Sequence, residues 1–201
     1  MPQPRLYSYV VEHDNGHAPN PYFGVCTLCL CKFREHAGKP KNVVELAVEG
    51  DWIVGTGGRN LKRSTGHGTL VYAMRVDEKV TRAQYYADPR FAQKRPDGSS
   101  YAQKQGDNKR PSDTFHKHQQ YALISRLFFY FGANAIAIPK RFAMLEKRGP
   151  GFKSRFEPAD IDAVVDWLTK NYVPGKHGEP RGAKDSLDSA DSESRRCKSS
   201  C

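Results

Sequence analysis

Residues 68–80, GTLVYAMRVDEKV, constrain the fold more than any other stretch. Leu70, Tyr72, Met74 and Val76 alternate with Val71, Ala73 and Arg75, so an extended chain here carries one fully apolar face and one mixed face. A period of two fits a strand and not a helix, and a sheet must be built around it. RLYSYVVEH (5–13), dense in Tyr and Val, predicts a second, buried strand that stops at the breakers of DNGHAPNP. VCTLCLCKF reads as strand or helix. KNVVELAVEGD predicts a short helix or turn ended by Gly50, with WIV following as a strand. YALISRLFFYFG (121–132) returns to the core, and NAIAIP predicts a short strand ended by Pro139. EPADIDAVVDWLTKNY (157–172) predicts a helix: Pro158 suits its first turn, Asp160 and Asp162 its positive end, and Ile161, Val164, Val165 and Leu168 form an apolar stripe. Strands outnumber helices and no regular βαβ alternation is visible. The class is therefore α+β, with one domain over 1–180 and a polar tail over 181–201 that has almost nothing to bury.

Charge bears on function. The chain carries a formal +10, and because the tail nearly balances its own charges, residues 1–180 keep +9. Such an excess suits a polyanion, since each Lys or Arg that displaces a condensed counterion from a phosphate chain gains the entropy of its release. Solubility alone also accounts for a basic surface. Two stretches concentrate the cations: a long polar excursion over 88–118, and KRFAMLEKRGPGFKSRF over 140–156. The start, MPQPRLYSYVVEHD, lacks the apolar core of a secretory signal, and no run approaches the roughly 18 apolar residues of a membrane helix. With five cysteines in no paired framework, the expected setting is a reducing cytoplasm without membrane contact.

Several stretches invite a chemical reading. EGDWIVGTGGRN (49–60) has glycines after an apolar run, but Asn60 stands where the third glycine of a dinucleotide fingerprint belongs, and no Walker motif is present. No cofactor is expected. The glycines serve either a tight turn or a close backbone approach to a ligand by Thr56, Gly57, Gly58, Arg59 and Asn60. Cys26, Cys29 and Cys31 would not converge on a metal from a regular strand, because Cys26 points opposite to the other two. His116 and His118 lie in the polar excursion, and His177 sits in a cationic turn, VPGKHGEP, where it touches phosphate or base or is simply exposed. No nucleophile elbow occurs. Tyr7, Tyr9, Tyr22, Phe23 and Trp52 share a third of the sequence with GGRNLKR, a pairing of rings and cations used to read extruded or single-stranded bases. The alternative is that these rings are core.

Four motifs in order, LYSYVVEHDNGHAPNPYFGVCTLCLCK, GDWIVGTGG, LISRLFFYFG with AIP, and PGKHGEP, resemble the nucleotide modification associated domain 2 family over about residues 5–180. That family accompanies predicted systems that modify DNA bases in bacteria and phages. The layout is also similar to EVE and related PUA-like domains, which implies a small mixed β-barrel with flanking helices and a pocket for a flipped, often modified, base. The expected ligand residues are Tyr7, Asn20, Phe23, Thr27, Trp52 and Thr56 to Asn60, with Arg59, Lys62, Arg63, Lys140, Arg141, Lys147 and Arg148 on phosphates. Here Cys26 and Thr27 replace the polar pair of the EVE pattern. The expected partner is nucleic acid, foremost modified DNA, or a nucleotide, with further proteins of a modification system. The alternative is an enzyme of base modification drawing on Asp14, His17, Asn20, Cys26, Asp51 and His177, although no matched acid and base pair is evident.

Overall fold

The computed structural model describes residues 3–16, 18–29, 35–36, 39–40, 42–94 and 121–182. His17, Cys31, most of the 88–118 excursion with His116 and His118, and the tail beyond 182 lie outside the described residues. In chain order the strands are β1 (Leu6–Val11), β2 (Cys26–Leu28), β3 (Glu35–His36), β4 (Lys39–Pro40), β5 (Trp52–Gly57), β6 (Thr69–Arg75), β7 (Glu78–Thr81), β8 (Tyr121–Ser125), β9 (Phe128–Tyr130), β10 (Ile136–Ala137), β11 (Phe152–Lys153) and β12 (Gly175–Lys176). The α-helices are α1 (Val43–Leu46), α2 (Arg82–Ala87) and α3 (Pro158–Asn171), with 3-10 turns at Pro89–Lys94, Gly132–Asn134 and Lys140–Leu145.

The central sheet runs β11-β1-β5-β6-β9-β12, with β10 also on β6, and a smaller sheet runs β2-β8-β7. β1 lies parallel to β5 and β9 parallel to β12, while the other pairs are antiparallel. α3 covers one face of the central sheet, setting Ile161, Val164, Trp167 and Leu168 against Leu6, Trp52, Val54 and Phe129. The small sheet and α1 cover the other, where Cys26, Leu28, Leu123, Val43 and Val44 meet Tyr7, Tyr9, Ile53 and Tyr72. With both faces covered, every residue of β1 and β5 is buried. A third cluster, Tyr85, Phe91, Cys29, Ala122 and Ile124, backs the small sheet.

The helix expected over 157–172 is α3, and α1 stands where a short helix was expected. The strand expected over 68–80 is two strands. The chain leaves the central sheet at Asp77, whose Oδ2 accepts from the backbone N–H groups of Arg126 and Leu127 at 2.6 and 3.2 Å, and enters the small sheet as β7. Its apolar face is also not continuous. The register pairs Gly55 with Tyr72 and Thr56 with Leu70, so Val71 is an extra residue. This bulge turns Leu70 toward α3 while Tyr72 and Met74 face the small sheet.

The α+β class stands, but the barrel does not. Among the described residues the central sheet is open, with β11 and β12 at opposite edges, and the small sheet stacks on it without closing it.

Candidate nucleic-acid interface

The glycines of GTGG belong to β5 and its immediate end, not to an open turn. A Cβ on Gly55 would lie 2.2 Å from the Tyr72 ring, one on Gly57 2.0 Å from the Gly66 carbonyl oxygen, and one on Gly58 2.5 Å from a Glu12 carboxylate oxygen. The room these glycines leave is filled by the protein itself, so the proposed close approach of a ligand to this main chain is corrected. Thr56 is buried and donates its hydroxyl to the Tyr9 carbonyl at 3.2 Å. Trp52 belongs to the core under α3, and Tyr7 to the core between the sheets. Neither ring offers a face to solvent. Asp51 is also structural: its two oxygens accept from the backbone N–H groups of Arg5 and Val48 at 2.8 and 3.0 Å. Cys26 is buried, and Cys29 faces the opposite cluster.

The exposed chemistry begins one residue later. Arg59, Asn60, Lys62 and Arg63 are all exposed on the loop that follows β5. This loop is shaped by short-range polar contacts: Asn60 Oδ1 accepts from Lys62 N at 3.1 Å, and the Asn60 carbonyl accepts from Arg63 N and Ser64 N. Buried Ser64 staples it to the sheet, accepting from Gly58 N at 2.7 Å and donating to the Val11 carbonyl at 2.5 Å. Arg59, Lys62 and Arg63 form no ion pair among the described residues.

Two further segments meet this loop at Asp14. Its backbone N–H donates to the Arg63 carbonyl, its carbonyl accepts from Gly182 N, and its carboxylate accepts from Tyr130 Oη at 2.5 Å and Arg181 N at 3.2 Å. Burial raises the Asp14 carboxyl above the ordinary aspartate value, against the lowering effect of the Tyr130 hydrogen bond, and burial raises the Tyr130 phenol well up as well. Arg181 Nε donates to the Leu61 carbonyl at 3.2 Å, joining the C-terminal segment to the cationic loop. On the other side Tyr22 donates to Glu179 Oε2 at 3.0 Å, and Lys176 Nζ stands 5.1 Å from the Tyr22 ring centroid and pairs with Glu179. Those contacts hold the Glu179 carboxyl below its ordinary range, the Lys176 hydrogen bond most of all.

One end of the molecule thus gathers Arg59, Lys62, Arg63, Lys176 and Arg181 with the exposed apolar side chains Phe23 (45%) and Leu61 (63%). His177 borders it, stacked on Phe131 at 5.1 Å. Asn20 and Thr27 are buried beneath the Phe23 loop and bridge each other through backbone hydrogen bonds of 2.9 Å. Lys140 and Arg141 lie beyond β10, with Arg141 over the Phe142 ring at a groove of about 320 Å³ that Trp167 and Lys170 also line. Arg148 pairs with Glu146, and Lys147 donates to the carbonyls of Arg148 and Gly149. The sequence offered no sign of Tyr130, Lys176 or Arg181 as partners here, because all three are brought in from more than a hundred residues away.

Among the described residues, no group of three or more His, Cys, Asp or Glu is placed to hold a metal ion, and no helix is long and apolar enough to cross a membrane. A family model described as nucleotide modification associated domain 2 matches residues 3–120 and 110–187. The chain belongs to that family. No curated protein and no solved structure matches it. Membership in the nucleotide modification associated domain 2 family links the protein to nucleotide modification, and the two matched segments take in all three segments that meet at Asp14.

Proposed function

We propose that the protein is a nucleic-acid binding module of a base-modification system that recognises DNA carrying a modified base. The observation that carries this reading is the junction, through Asp14 and the Arg181–Leu61 hydrogen bond, of two segments, 59–63 and 176–181, that present Arg59, Lys62, Arg63, Lys176 and Arg181 beside exposed Phe23. Cations on a loop whose backbone is already held by hydrogen bonds displace phosphate counterions on binding with little ordering cost for that backbone. Rings beside them supply contact to bases. The family association with nucleotide modification favours a modified base as the feature recognised.

Fluorescence anisotropy with DNA bearing or lacking base modifications, over a range of salt, tests this. Binding that weakens steeply with salt, is tighter for modified DNA, and is lost in the variant R59E/K62E/R63E is expected. Absence of any salt-dependent binding to DNA removes the reading.

An enzymatic alternative rests on Asp14, a buried carboxyl with a raised pKa. Yet Asp14 is 1% exposed, and its oxygens are engaged by Tyr130 and by backbone N–H groups that tie loops together. Binding is therefore the reading we adopt.

A further inference from the structure

We infer that Phe23 is a stacking platform for an unpaired base, and that buried Lys94 is the positioning residue that holds the loop presenting it. The inference rests on the nucleic-acid reading above and narrows the ligand to single-stranded DNA or a base displaced from its duplex.

The loop is built to keep an aromatic ring out. Asn20 and Thr27 close its base through paired backbone hydrogen bonds of 2.9 Å. Lys94, 1% exposed, spans the mouth: its Nζ donates to the Asn20 carbonyl, to Asn20 Oδ1 and to the Val25 carbonyl, each at 2.9 Å. Asn20 Oδ1 also accepts from Tyr22 N at 3.2 Å, which sets the turn. At the tip Phe23 has φ of +60°, a left-handed conformation that no other non-glycine among the described residues adopts. Strain of this kind persists where the surroundings over-determine it, and it concentrates at ligand-binding positions. Here it holds a ring that is 45% exposed.

The surroundings of the ring choose the ligand. Tyr22 lies 6.3 Å away, centroid to centroid, with Lys176 over its face, and Tyr22 and Lys176 both contact Glu179 in the segment that leads to Arg181 and the 59–63 loop. An apolar face bordered by fixed cations matches a base with its flanking phosphates. A base inside a duplex already has both faces stacked, so an exposed ring gains contact with an unpaired one. An anionic membrane would also attract cations and a phenyl ring, but Phe23 and Leu61, even with Val173 beside His177, are a small apolar surface for insertion, and the family association is with nucleotides.

The test uses the full chain and four probes: a single-stranded oligonucleotide, its duplex and the duplex with one extruded base, each with and without a modified base, and vesicles containing anionic lipid. The wild type is expected to prefer the probes with an unpaired base. Phe23→Asn, which keeps a residue tolerant of the left-handed backbone, should weaken binding to those probes by about 5- to 150-fold while leaving duplex affinity unchanged, and Phe23→Trp should retain it. The emission of that Trp should be quenched by the unpaired-base probes and not by the duplex. Lys94→Met should lower affinity for the same probes. Equal affinity of wild type and Phe23→Asn for every probe overturns the stacking role while leaving the cationic-face reading intact. Failure of the wild type to bind any probe overturns both, as does binding confined to vesicles containing anionic lipid. Unchanged affinity of Lys94→Met for the unpaired-base probes overturns the positioning role of Lys94, and should that variant fail to fold, Lys94→Gln, which keeps a donor at the mouth of the loop, is measured in its place.

Discussion

Tyr130 donates its hydroxyl to Asp14 Oδ1 across 2.5 Å, joining residues 116 positions apart in the chain. Asp14 lies three residues after the end of β1 at Val11, β9 ends at Tyr130, and the segment after β12 folds back so that Arg181 N and Gly182 N also reach Asp14. The contact is therefore the knot of the cationic end. Replacing Tyr130 by Phe leaves a buried carboxyl short of a donor, and a loss of about 1–3 kcal/mol of stability is expected by urea unfolding.

Asp14 should also leave a signature in pH. Burial raises its folded-state pKa above the ordinary 3.8, so between those two values the folded protein holds a proton that the unfolded chain has released. The resulting contribution to stability is fully present below 3.8 and is lost as pH rises through the folded value. Unfolding curves of wild type and Asp14→Asn, compared across pH, should show the wild type's relative stability falling upward through that window and flat above it. A difference that does not change with pH would contradict the burial. Glu179, held low by Lys176 and Tyr22, carries the opposite sign: its contribution is lost as pH falls, and the variant comparison removes it because both proteins retain it.

Lys94→Met should cost about 2–4 kcal/mol, because the Asn20 and Val25 carbonyls and Asn20 Oδ1 each lose their Nζ donor in a buried setting. Chemical denaturation measures this directly. A neutral effect would mean that water replaces the amine at the mouth of the loop.

The glycines of β5 separate packing from ligand binding. Gly57→Ala sets its new methyl against a backbone carbonyl, that of Gly66, and Gly55→Ala against the Tyr72 ring; each should cost about 3 kcal/mol or more. Gly58→Ala meets the mobile end of Glu12 first and should cost less. Had these glycines served a ligand, Gly57→Ala would fold normally and lose only binding. Thermal melts beside the binding assay distinguish the two results.

On the proposed function, the salt dependence of DNA binding counts the phosphates that the cationic end contacts. If Arg59, Lys62 and Arg63 each contact one, the triple alanine variant should lower the slope of log K against log salt by roughly 2.7 on duplex DNA. An unchanged slope would move the phosphate contacts elsewhere, with the Arg141 and Lys170 groove as the next surface to probe.

The local signals in the sequence reached as far as local physics extends. The apolar stripe and Pro158 determined α3, the Tyr and Val of β1 a buried strand, the excess of strands over helices the α+β class, and the basic residues a cationic protein. That Phe23, Arg59, Lys62 and Arg63 would lie exposed was legible, because a ring or a cation beside turn residues is visible in one dimension. What the sequence left open was where each glycine and ring would lie. A glycine needed for close packing and one needed for a ligand read alike, and GTGG became the packed end of β5 only when Tyr72, Gly66 and Glu12 arrived against it. A strand's period cannot announce a bulge, so Leu70 changed faces unseen. Tertiary structure alone decided that Lys94 clamps the Phe23 loop and that Tyr130 and Arg181 meet Asp14. Such contacts depend on pairing between distant strands, and no run of neighbouring residues encodes them.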